Sequence, residues 1–208
     1  MIKLLTGAAI LLSTSSVFAA VTPSLVGLPV FNPATNDYTY NYNVQIATDQ
    51  TANSGPVPGT TTSAGVNVPT GGSAGYFTIY DFSGFVGGSN TQPGGWAFKS
   101  SNTGSSPSDV NPVDNPGNIN LTWYVTSGPL VGPQNISGFS ARSTLGTPTS
   151  VQFTGQATRN TGSFNGTDIS NIGSTGGPSG SVTAVPEPAA YALLGGGLLA
   201  FGLLRRRS

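Results

Sequence analysis

Histidine and cysteine are both missing from this sequence, and glutamate occurs once, at Glu187. Without histidine there is no Ser-His-Asp or Cys-His nucleophilic site, no His-ligated zinc and no imidazole general base. Without cysteine there is no thiolate chemistry and no disulfide staple. Charge is scarce as well, at 7% of the chain. Between about Ala20 and Ala184, six aspartates face only Lys99, Arg142 and Arg159, a net charge of −3. So few cations cannot neutralise a run of phosphates, which argues against a nucleic-acid partner. Lys99 is the one lysine of this middle region, and no G-x-x-x-x-G-K stands around it, so no phosphate-cradling loop is expected. Nor does any stretch of the middle carry the 3.6-residue apolar period of a helix.

What is present reads as β-structure. In DYTYNYNVQI, Tyr38, Tyr40, Tyr42, Val44 and Ile46 alternate with Thr39, Asn41, Asn43 and Gln45. That is the pattern of a half-buried strand. AGYFTIYDFSGFV is apolar on both faces and suits a central strand. NINLTWYVT alternates again, with Ile119, Leu121, Trp123 and Val125 on one side. GWAFKS, ISGFSARS and TSVQFTGQAT are shorter strand candidates. Clusters of Gly, Pro, Asn and Ser separate them, as expected of turns. The expectation is an all-β, irregular β-sandwich or jelly-roll-like domain over residues 20–173, with long loops near 49–73 and 100–117. STGGPSGSVTA, residues 174–184, reads as a flexible linker.

The two ends differ from the body. Lys3, an apolar stretch from about Leu4 to Leu12, and Val17-Phe18-Ala19 form the pattern of a secretory signal peptide helix. Cleavage is expected between Ala19 and Ala20. This implies the Sec translocon and signal peptidase as partners and an extracytoplasmic body. At the other end, VPEP precedes an apolar run from Ala189 to Leu204, followed by Arg205, Arg206 and Arg207. The arginines suit a stop-transfer signal on the cytoplasmic side. The 16 residues would rise about 24 Å as a single transmembrane helix, short of a ~30 Å hydrocarbon core.

Val185-Pro186-Glu187-Pro188, the short apolar helix and the terminal arginines together resemble the PEP-CTERM protein-sorting domain, over residues 185–208. The resemblance implies a tag recognised at Pro186-Glu187-Pro188 by an exosortase, a membrane-embedded cysteine-type transpeptidase. The tag is then removed, so the membrane anchor is transient and a marginal span suffices. It further implies a Gram-negative bacterium that makes exopolysaccharide, with a periplasmic, inner-membrane-anchored intermediate and a cell-surface or extracellular destination. FTIYDFSGFVGGS, NLTWYVTSGP and GFSARSTLGT are also similar to ectodomains of exported PEP-CTERM proteins, a likeness that names no activity.

Candidate sites in the body are few. SDVNPVDNPGN gathers Asp109, Asn111 and Asp114, oxygen ligands of the kind Ca²⁺ takes, although the spacing is not that of an EF-hand and suits an ordinary loop equally. Trp96 and Trp123, with the tyrosine row, would stack on sugar rings if exposed, or fill the core if buried. Paired aspartates drawn from Asp81, Asp109 and Asp114 would serve a glycoside hydrolase if two carboxyl groups shared a cleft. For Asp81 the plainer expectation is a bond to a nearby backbone N–H or an arginine. No catalytic residue and no cofactor is expected. The expected function is that of a non-enzymatic surface or biofilm-matrix protein associated with exopolysaccharide. A carbohydrate-binding module, an Asp-dependent glycosidase and a permanently tail-anchored protein are the alternatives.

Overall fold

The computed structural model describes residues 20–57, 59–63, 66–70, 74–178 and 180. Ala19, the expected signal peptide, Pro186, Glu187, Pro188, the expected membrane helix and Arg205 to Arg207 lie outside the described residues. What is described is all-β, and every strand pairing is antiparallel.

A large sheet runs in the order β10 (Leu130–Val131), β4 (Gln50–Ala52), β12 (Pro148–Arg159), β7 (Tyr76–Ile79), β9 (Asn120–Val125), β8 (Trp96–Ser101). β13 (Asp168–Pro178) pairs with β12 on its other edge, from Pro148↔Pro178 to Thr158↔Asp168. A smaller sheet is centred on β3 (Asp37–Ile46). β1 (Val21–Leu25) and β2 (Val30–Asn32) share one edge of it, and β11 (Gln134–Ser143) takes the other. β5 (Gly59–Ser63) and β6 (Val66–Thr70) form a separate hairpin.

The alternation of β3 does what its sequence requires. Tyr40, Tyr42, Val44 and Ile46 are buried, while Asn41 and Asn43 are half-exposed. β7 is buried at all four positions because both of its faces are covered: Phe77 and Ile79 point into the core between the sheets, and Thr78 lies under the loop that carries Ser105. The two sheets meet through aromatic rings. Phe139 of β11 stands edge-on to Phe77 of β7 at 5.3 Å and to Trp96 of β8 at 5.0 Å. Tyr42 of β3 lies 6.5 Å from Trp123 of β9, and Phe77 stacks on Trp123 at 5.2 Å. Ring pairs of this kind add to the burial of large apolar area.

The structure corrects two readings of composition. Residues 49–73 are not simply a loop, since β4 and the β5–β6 hairpin lie within them. The stretch 174–184 is not a linker along its whole length, because Ser174 to Pro178 belong to β13. Glycine is abundant there because the strand lies under bulky neighbours. A Cβ on Gly176 would meet the Leu25 side chain at 2.5 Å, and one on Gly177 would meet Val151 at 2.6 Å.

Candidate functional site

Trp96 and Trp123 belong to the core and not to a sugar platform. Trp123 is 0% exposed and Trp96 6%, and both pack against Phe77 and Phe139 between the sheets. The Trp123 Nε1 donates to the Thr91 carbonyl at 3.2 Å. Tyr40 and Tyr42 are buried too, and their hydroxyls donate to the carbonyls of Leu145 and Gly176. The reason is compositional: in a domain poor in leucine, aromatic rings are the residues large enough to fill the space between two sheets. Burial raises the Tyr40 phenol to about 12, with Tyr38 adding a smaller repulsion. It pushes the Tyr42 and Tyr76 phenols higher still.

The outward face of the large sheet is also buried, and here the buried groups are polar. Thr78, Thr122, Thr154 and Asn120 are nearly inaccessible because the loop 102–118 folds over them. The Ser105 carbonyl accepts from Thr78 Oγ1 and Tyr80 OH, each at 2.8 Å, and from Thr154 Oγ1 at 3.4 Å. Desolvation raises Tyr80 to about 12, although hydrogen bonds to Ser106 and Thr154 pull the other way. Hydroxyls satisfied in this way can be buried at little cost, whereas unpaired they would be costly.

That loop also contains the expected calcium ligands. Asp114 Oδ2 accepts from the Gly104 N–H at 3.0 Å, and Oδ1 from Asn120 Nδ2 at 2.9 Å. Both oxygens therefore tie the loop down. Asp109 and Asn111 are exposed, and among the described residues no group of three or more acidic side chains gathers to hold a metal. Asp81 is not within a strand: it follows β7, at a positive φ of 54°. Its N–H donates to Asn120 Oδ1 at 2.8 Å and its Oδ1 accepts from the Asn115 N–H at 3.1 Å. The carboxylate bonded to a backbone N–H is the arrangement the sequence made the plainer expectation.

A cleft of about 540 Å³ opens at this end of the body, lined among others by Asp81, Val113, Asn118, Gln152 and Gly180. Asp81 is the single carboxylate among the described residues lining it, so the facing acid that a glycosidase needs is not among them. The last described residues of the body lie here: the Ser83 N–H donates to the Pro178 carbonyl at 3.4 Å, and Gly180 lines the cleft. Sequence reasoning read Ser174 to Pro178 as linker because β13 carries little apolar alternation.

Beyond the described residues, positions 184–207 match the family model of the PEP-CTERM protein-sorting motif. No curated protein and no solved structure matches the chain significantly. The all-β body and this motif together describe the class, an all-β protein bearing a sorting tag. The chain carries a PEP-CTERM sorting motif, the recognition signal for an exosortase, which indicates an exported protein with a transient membrane anchor.

Proposed function

We propose that this is a bacterial surface or extracellular-matrix protein whose body, an irregular β-sandwich, works without catalysis within the exopolysaccharide into which it is released. The observation that carries the reading is the sorting motif at residues 184–207, which begins six residues past the end of β13. The order of events is export by the signal peptide, anchorage by the apolar run, and cutting at Pro186-Glu187-Pro188.

The non-catalytic reading is supported by how the body spends its polar groups. Asp37 is ion-paired with Arg142 at 2.8 Å, Asp114 accepts two N–H donors, and Asp81 bonds Asn115. Aspartates committed in this way hold loops, and no histidine or cysteine stands beside them to act as a base. A low-charge, weakly acidic surface rich in Thr, Ser and Asn suits hydrogen bonding to a neutral polysaccharide.

Intact mass of the protein from the native host's cells and medium tests the sorting step. A released species lacking residues 1–19 and everything past about Glu187 is expected, with any excess mass reporting glycans. A cell-bound species still ending in Arg205-Arg206-Arg207-Ser208 would mean a permanent anchor and overturn the reading.

A further inference from the structure

Large apolar side chains are exposed in succession along one protruding edge: Val26 at 45%, Leu28 at 77%, Val30 at 58% and Phe31 at 47%. Val30 and Phe31 are neighbours in β2, so their side chains leave opposite faces of the strand. Both are exposed, although the Phe31 ring lies 5.0 Å from that of Tyr38, so the edge forms a half-covered lip on the body. The backbone of the lip is anchored from behind. The Val26 N–H donates to the Asn41 carbonyl at 2.8 Å, and β2 pairs with β3 from Val30↔Thr39 to Asn32↔Asp37. Its one nearby carboxylate, Asp37, is buried and neutralised by Arg142, which also reaches Thr35. The lip therefore presents four apolar side chains to solvent, with its nearby carboxylate paired to a cation.

Its position is what gives it a partner. β1 runs alongside β13 in the same direction: Thr22 meets Asn171, and Leu25 covers Gly176. The lip begins one residue past Leu25, at the end of β13 where Pro178 lies. Residues 181–188 are all that separate Gly180 from the apolar run at Ala189. Fully extended, they span no more than about 30 Å. While its tail is anchored, the body is held close to the bilayer by this same end.

We propose that Val26, Leu28, Val30 and Phe31 dock the tethered body on the membrane, inserting at the boundary between headgroups and acyl chains. This rests on the reading of the C-terminus as a transient membrane anchor. Four side chains are too little apolar area to hold a protein at a membrane alone, since even a single acyl chain gives only marginal binding. Docking would thus last only as long as the tether, and cutting the tag would free the body completely. In the meantime the end bearing the sorting motif would be oriented toward an enzyme embedded in the same membrane.

The lack of native cysteine makes the test direct. Leu28→Cys and, as a control, Val131→Cys, itself 53% exposed in β10, are spin-labelled in the full chain. The chain is reconstituted into phosphatidylethanolamine–phosphatidylglycerol vesicles, and collisions with oxygen and with a water-soluble nickel chelate are measured. The expected ratio of oxygen to nickel collisions is several-fold higher at position 28 than at 131. Equal, water-like ratios in vesicles with which the chain co-floats would overturn the docking and leave the anchor standing. A label at 28 shielded from both reagents would mean a protein contact, a second copy for example, in place of lipid. A chain that does not float with the vesicles would overturn the anchor and the docking together.

Discussion

At the residue scale, the molecule uses aromatic rings as its filling and hydroxyls as its adhesive. Trp123 carries most of the first role, stacked on Phe77 and touching Tyr42, Phe98 and Phe139. Trp123→Ala should destabilise the body by about 3–5 kcal/mol, read as a lowered urea midpoint. A sugar-stacking tryptophan would instead leave stability nearly unchanged. Asp37 depends on Arg142. Arg142→Met would leave a carboxylate with little exposure and no cation, at a cost of about 3 kcal/mol in the same assay. The buried phenols set an alkaline limit. Tyr40 and Tyr80 titrate at about 12 in the fold, and Tyr42 and Tyr76 above that, against 10 when exposed. A folded pKa above the unfolded one means that the folded state holds its protons longer. Stability is therefore complete below pH 10 and falls as pH rises from 10 through about 12. Tyrosinate absorbance recorded with circular dichroism should show these phenols ionising together with unfolding.

At the scale of elements, β13 repays attention because its sequence looks like a tether. DISNIGSTGGP has little to bury, yet it pairs with β12 along eleven residues. Its glycines allow β1 and β12 side chains to lie directly on the backbone. β12 uses the same device at Gly155, where a Cβ would stand 2.1 Å from the Val21 carbonyl oxygen. The obstacle is backbone, so no rotamer change relieves it. Gly155→Ala should force β1 away from the large sheet and lower the melting temperature, by an amount matching about 1–3 kcal/mol of overpacking. The same change at Gly87, which has open space around it, should be nearly silent. The strands that could be read in advance, β3, β7, β8, β9, β11 and β12, are those whose side chains carry most of the core. Of those that could not, β4 is too short to show a period, and β13 is held by backbone pairing and close approach, which leave little alternation in the sequence.

At the scale of the whole molecule, the two ends of the body have opposite characters. Ala20 and Val21, which follow the expected signal-peptide cleavage site, are fully buried at the start of β1. A protease needs an extended, accessible substrate. Cleavage between Ala19 and Ala20 should therefore precede docking of β1 against the large sheet. A precursor folded in vitro should resist signal peptidase, whereas the unfolded precursor should be cut, as gel mobility would report. The far end differs: Gly180 lies at a polar cleft, and the sorting motif follows four residues later in the sequence.

The sequence alone determined the class of fold, the chemistry excluded by missing residue types, and the delivery route written in the motif at 184–207. Each of these is local: strand alternation, composition and a contiguous signal survive without knowledge of neighbours. Only the tertiary structure decided whether Trp96 and Trp123 faced solvent or core, since period-2 alternation names a face without saying what covers it. Only the structure assigned Asp114 to loop closure, because its partners Gly104 and Asn120 lie 10 and 6 residues away. The lip at Val26 to Phe31 was equally hidden. An apolar residue in a sequence is presumed to be buried, and its exposure exists only once every other strand has taken its place.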